Sequence, residues 1–204
     1  FKEVETNVSL RVEETDSADV FKVSGRGELH LSILIETMRR EGYELQVGKP
    51  EVVYKTINGQ KCEPMENLTI EVPQEYQGTV MMSLGTRKAE LSNMTEVSGY
   101  MRMEFLIPAR GLIGFRSELL TNTKGNGIMH HTFAGYVPYK GDIPGRARGS
   151  LVAFEQGETT GYGIFSLQDR GTMFISPGQA VYEGMIVGEN SREMDIDINP
   201  CKAK

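Results

Sequence analysis

The chain predicts an α+β fold, with helical and strand-like stretches alternating through its first two thirds and strands alone in the rest. Three observations carry this. Two segments pass from a period of two to helical spacing and back, 23 glycines punctuate short elements, and the final third is glycine-dense without helical periodicity. With 39% hydrophobic and 25% charged residues over 204 positions, the chain can bury a core and is not a disordered polyampholyte.

The first unit, 1–58, alternates at Val8, Leu10 and Val12, turns over 15–19 and returns as a strand over 20–24. Gly25-Arg26-Gly27 then opens a helix whose Leu31, Leu34, Ile35 and Met38 stand at i, i+3, i+4 and i+7. Arg39 and Arg40 close that helix and Gly42 follows it. Tyr43, Leu45 and Val47, and then 52–55, predict further strand. The order is ββαβ, half of a larger plan, so the chain is expected to begin inside a domain, as Phe1 in place of Met also suggests. Asn58-Gly59 is a tight-turn pair that marks the boundary with the next unit.

The second unit, 59–140, carries the whole plan. Leu68, Ile70 and Val72 alternate, and Pro73 ends the strand. A helix over 74–88 aligns Tyr76, Val80, Met81 and Leu84, and strand follows over 91–96. Met101, Met103, Phe105 and Ile107 alternate strictly up to Pro108. Leu112, Phe115, Leu119 and Leu120 form a second amphipathic helix that stops at Lys124-Gly125-Asn126-Gly127, and a last strand covers 128–136. The order βαββαβ is the ferredoxin-like split βαβ, complete here and truncated in the first unit. The third unit, 141–204, has ten glycines in 64 residues. Short strands over 150–154, 162–167, 173–175, 180–187 and 194–198 predict an all-β module that is incomplete at Lys204.

Charge is unevenly spread. Residues 1–104 hold 12 Lys/Arg and 18 Asp/Glu, a balance of −6; residues 105–148 hold 6 and 2, or +4; residues 149–204 hold 4 and 8, or −4. The basic island comprises Arg110, Arg116, Lys124, Lys140, Arg146 and Arg148. An acidic chain with one basic stretch suits a polyanionic partner met over a limited surface, since each cation near a phosphate adds a salt-dependent increment. A plain solvated surface accounts for the same composition.

The motifs of catalysis are missing. No G-x-x-x-x-G-K-[ST] phosphate loop occurs, and Asp142-Ile143-Pro144-Gly145 is an isolated D-x-x-G. His130 and His131 are neighbours on a strand and point to opposite faces, so neither a catalytic site nor a metal site is expected. Cys62 and Cys201 lie far apart and read as free thiols of a reducing cytosol. No apolar run approaches the roughly 18 residues of a membrane helix, so a membrane partner is not expected either.

Ser24-Gly25-Arg26-Gly27-Glu28-Leu29-His30-Leu31 resembles the third domain of translational GTPases of the elongation factor G superfamily. Pro73, Gly78, Val80, Leu84, Arg87 and Lys88, with Pro108, Gly114-Phe115, Leu119 and the 123–127 exit, resemble that superfamily's domain V. Arg110-Gly111-Leu112-Ile113-Gly114-Phe115-Arg116, Leu167-Gln168-Asp169-Arg170-Gly171 and the string from Val181 to Arg192 look like the bacterial TypA/BipA GTPases.

The resemblance implies that a GTPase domain with GTP and Mg2+ precedes this stretch in a longer protein and that more chain follows it. It implies a cytoplasmic factor of stress adaptation and large-subunit assembly that binds the bacterial ribosome near the A site. These residues would then be its ribosome-facing arm, without catalysis or cofactor of its own. Contacts to rRNA, and to A-site tRNA, fall to Arg110, Arg116, Lys124, Lys140, Arg146 and Arg148, with Arg170 and Arg192 from the family-specific strings. Arg116 at a helix start, where backbone N–H groups add to an anion site, can equally lie over the sheet. An interdomain scaffold that docks the GTPase domain without touching RNA stays open.

Overall fold

The computed structural model describes residues 2–143 and 148–204. In chain order they form α1 (Lys2–Thr6), β1 (Arg11–Glu14), β2 (Phe21–Ser24) and α2 (Glu28–Arg40). β3 (Lys55–Ile57), β4 (Gln60–Pro73), a 3-10 turn (Gln74–Tyr76), α3 (Gln77–Thr86), β5 (Glu90–Val97) and β6 (Tyr100–Pro108) follow. Then come α4 (Ala109–Leu112), α5 (Phe115–Asn122), β7 (Ile128–Pro138), β8 (Ser150–Ala153), β9 (Gly157–Glu158) and α6 (Gly161–Leu167). A 3-10 turn (Gln168–Arg170), β10 (Gly171–Met173), β11 (Ala180–Val181), β12 (Ile186–Asn190) and β13 (Ile196–Ile198) end the chain. The fold is α+β, in two compact units: Phe1–Lys49 with Arg146–Lys204, and Pro50–Gly145.

In the Pro50–Gly145 unit β4 is the spine. β6 pairs with it from Met65↔Pro108 to Pro73↔Tyr100, β7 pairs along its other side, and β5 lies beyond β6. Every one of these pairs is antiparallel. The alternation seen in sequence gives the sheet one apolar face, and the helices cover it. Leu68, Ile70 and Val72 of β4 and Met103, Phe105 and Ile107 of β6 pack with Val80 and Leu84 of α3 and Phe115 and Leu119 of α5. Each such buried side chain contributes about 1.5–3 kcal/mol by leaving water.

Two details differ from the expected elements. The first predicted helix begins with the 3-10 turn, and the second is broken into α4 and α5 at Gly114, whose φ of 71° is a left-handed conformation that a side chain disfavours. Asn58 and Gly59, with φ of 52° and 77°, make the hairpin that joins β3 to β4.

In the other unit β1 and β2 pair from Arg11↔Ser24 to Glu14↔Phe21. The strand expected over 43–47 is not formed, because among the described residues β1 and β2 bond only to each other and offer that segment no ladder. Its backbone is held instead by the Tyr182 hydroxyl, which donates to the Leu45 carbonyl at 3.1 Å. Of the strand expected over 52–55 only Lys55 is in one, β3, which pairs with β4.

The C-terminal module has a sheet in the order β10-β12-β8-β13, with β8 and β13 parallel, and a β9–β11 pair. Leu151, Ala153, Leu167, Ile175, Val181, Met185, Val187 and Ile198 form its core. It is not all-β as expected: the strand predicted over 162–167 is the helix α6. The Thr160 hydroxyl accepts the Gly163 N–H at 2.8 Å and caps it, and helical spacing turns both Ile164 and Leu167 to the core. Cys62 and Cys201 are free thiols.

Where β10 meets β12 the backbones are too close for a side chain. A Cβ on Gly171 would lie 1.9 Å from the Glu189 carbonyl oxygen. Gly171→Ala is expected to cost about 1–3 kcal/mol, read as faster amide exchange in β8, β10 and β12 with the Pro50–Gly145 unit unchanged.

Candidate nucleic-acid interface

The candidate cations divide according to what their charge already touches. Arg110, on α4, is turned inward. Its Nε donates to Glu63 Oε2 at 2.5 Å, and one terminal nitrogen donates to Glu63 Oε1 at 3.1 Å and to the Gly141 carbonyl at 2.5 Å. The guanidinium lies 4.7 Å from the centre of the Tyr139 ring. Glu63 is fully buried, the Arg110 side chain is 13% exposed, and the Lys140 N–H gives the carboxylate a further bond at 2.7 Å. Burial pushes the Glu63 carboxyl up, but the Arg110 bond, the Lys140 amide and the adjacent charges outweigh it and hold Glu63 below the usual carboxylate range.

A second clamp faces the same loop from Arg87, the residue that follows α3. Arg87 donates to the carbonyls of Gly111 and Ile113 at 2.6 and 3.2 Å and to Glu118 Oε2 at 2.6 Å, with the Phe115 ring beneath it. The other Glu118 oxygen accepts the Ser83 hydroxyl. Lys88 donates to the Lys140 carbonyl at 2.6 Å, and Lys140 Nζ pairs with Glu90 at 2.5 Å. Residues 109–115 are thus tied down on both sides, and the next cation, Arg116, points out.

Arg116 and Lys124 are exposed and bracket α5, the first in its opening turn and the second just past its end. Neither has a side-chain partner among the described residues. Arg170 and Arg192 are exposed and likewise without side-chain partners there. Their backbones serve the module, since the Arg170 carbonyl accepts Ser191 N–H at 2.8 Å and the Arg192 carbonyl accepts Gly149 N–H at 2.7 Å. Arg148 faces Glu189 at 3.4 Å in solvent, a weak pair. Arg146 lies outside the described residues, as does half of the D-x-x-G string, whose Asp142 accepts the Tyr139 hydroxyl at 2.7 Å.

Sequence reasoning missed Glu63 and Glu118. The signal for the first was present: a lone acid in Cys62-Glu63-Pro64-Met65, a run that is otherwise apolar. His131 meets Glu66 at 3.2 Å while His130 stands on the opposite face, and no three His, Cys, Asp or Glu converge among the described residues. No helix among them is long and apolar enough to cross a membrane.

The Pro50–Gly145 unit is of the elongation factor G type: residues 60–147 match the family described as Elongation factor G C-terminus. Residues 148–204 match the family described as TypA/BipA C-terminal domain. The chain is 53% identical over 204 residues to the large ribosomal subunit assembly factor BipA of Synechocystis sp., and 54% identical over 204 residues to that of Bacillus subtilis. It is 50% identical over 205 residues to that of Escherichia coli K12. These alignments cover 100%, 99% and 100% of this chain and 34%, 33% and 34% of the relatives. The chain belongs to the TypA/BipA family and spans about a third of the length of the curated relatives it matches.

Arg110→Ala leaves a buried carboxylate unpaired, and a loss of about 3–5 kcal/mol in the Pro50–Gly145 unit is expected from urea unfolding. A carboxyl held low in the folded state adds stability that is present above the unfolded value and is lost as pH falls through the folded one. Stability of this unit is therefore expected to decline below about pH 4.3, the unfolded glutamate range. That decline is smaller in Glu63→Gln.

Proposed function

We propose that these residues are the ribosome-facing arm of a translational GTPase that acts in large-subunit assembly and stress adaptation in the cytoplasm. The arm comprises a truncated ferredoxin-like unit (1–58), a complete one (59–140) and a family-specific module (141–204). It meets rRNA, and A-site tRNA, through phosphate contacts that position it without reading sequence. GTP and Mg2+ belong to the parent protein, because these 204 residues hold no phosphate loop.

The observation that carries this reading is the sorting of cations. Arg87, Arg110 and Lys140 are spent on Glu118, Glu63 and Glu90, while Arg116 and Lys124 have no side-chain partner among the described residues and flank one helix. Arg116 stands in the opening turn of α5 and Lys124 two residues past its last one, so the two charges flank the helix rather than share a point. Arg170 and Arg192 would serve the third unit in the same way, Arg148 would join them by leaving its weak solvent pair with Glu189, and Arg110 would position Arg116. The strand order of the Pro50–Gly145 unit, with β6 between β4 and β5, supports the ferredoxin-like assignment. The relatives' description as large ribosomal subunit assembly factors supports the choice of partner. Leu29 and Ile33, 73% and 58% exposed on α2, favour a second reading in which the first unit docks another domain.

The test is co-sedimentation with bacterial ribosomes. Binding is expected to fade with salt, and Arg116→Glu with Lys124→Glu is expected to weaken it about tenfold or more and to flatten the salt dependence, with the circular dichroism unchanged. An unaltered double variant would remove α5 from the interface. Failure of the parent chain to sediment at low salt would favour the docking reading.

A further inference from the structure

β5 is a long, open sheet edge with a groove beside it. All eight residues of Glu90–Val97 are exposed, and among the described residues the strand pairs only with β6. Leu91 and Met94 stand opposite the core residues Phe105 and Met103, so they sit on the helix side of the sheet, and they remain 42% and 43% exposed. α3 forms the other wall. Gln77, Met81 and Gly85 recur every fourth residue and share one flank, and Gln77 Nε2 reaches Met94 Sδ at 3.3 Å, which identifies that flank as the one facing β5. The opposite flank is taken by α5, through Ser83 and Arg87 to Glu118. A Cβ on Gly85 would meet nothing within 4 Å, so the groove is open there. Sheet edges are usually shielded by covering elements, central charges or Pro, and β5 has only one irregularity, between Leu91 and Asn93.

We propose that this edge receives an extended, Lys- or Arg-bearing peptide segment of another protein. The segment adds as a strand to β5 and lays alternate apolar side chains on Leu91, Met94 and the Gln77 to Gly85 flank. Charge selects this occupant. Glu96 stands opposite Met101 on the helix side and Glu75 precedes α3, and neither has a cation partner among the described residues, whereas Glu90 is paired with Lys140, Arg102 is held between Glu71 and Glu104, and Lys88 is turned to the Lys140 carbonyl. The charge left over at the rim is negative and repels a phosphate backbone. A second copy of the chain pairing antiparallel would bring Glu90 and Glu96 of one edge against Glu96 and Glu90 of the other, and like charges opposite one another destabilise a sheet.

The probes are a short synthetic peptide alternating lysine and valine and its glutamate–valine counterpart, read by fluorescence anisotropy and by amide hydrogen exchange of the whole chain. The lysine peptide is expected to bind and to slow exchange across 90–97, and the glutamate peptide is not. Met94→Lys and Glu96→Lys are each expected to weaken binding about tenfold. Gly85→Leu, which fills the groove without changing charge or straining the backbone, is expected to do the same with the melting curve of the chain intact. Equal binding of the two peptides, protection in β7 in place of β5, peptide-independent protection that grows with protein concentration, binding undiminished by Gly85→Leu, or no protection at all would each overturn the proposal.

Discussion

A carboxylate with no access to water lies in the spine strand of the Pro50–Gly145 unit, and much else in that unit answers to it. Glu63 cannot stay charged there unless cations and N–H groups come to it. The guanidinium of Arg110 draws α4 against β4, and the amide of Lys140 draws in the chain beyond β7. A single buried charge therefore joins the Glu63 end of β4, α4 and the chain beyond β7. Replacement by a well-packed apolar side chain could match its stability, so its effect is better described as fixing which loop conformation the unit adopts.

The loop so fixed presents α5. Arg87 closes the carbonyls of Gly111 and Ile113 from the other side, and Gly114 takes the left-handed turn that lets α5 start in a new direction. Side chains at 110 and 116, both arginines and six residues apart, thereby acquire opposite fates. One is an internal strut, and the other is exposed with no side-chain partner among the described residues.

That divergence shows where sequence reading succeeds and where it stops. The elements of 66–136 were legible because alternation and helical spacing are local properties, and glycine and proline bound each one. The strand at 43–47 was not, because alternation reveals a face but not whether another strand stands beside it. α6 was hidden because seven residues with two glycines carry little period, and only the Thr160 cap and the Ile164 and Leu167 spacing betray it. Nothing local separates a spent arginine from a free one. Glu63 lies 47 residues from Arg110, and Glu118 lies 31 from Arg87, so both pairings belong to the fold.

The two cations that bracket α5 also differ in what their own helix does to them. Aligned peptide dipoles leave the start of a helix partly positive and its end partly negative, an effect of about 0.3–1 kcal/mol on a nearby charge. Arg116 stands where the helix repels it, and Lys124 stands where the helix already offers compensation. An arriving anion relieves an unfavourable field at Arg116 and displaces a favourable one at Lys124. Two side chains of equal formal charge and similar exposure are thus unequal, and the helix is polarised toward accepting an anion at its Gly114 end.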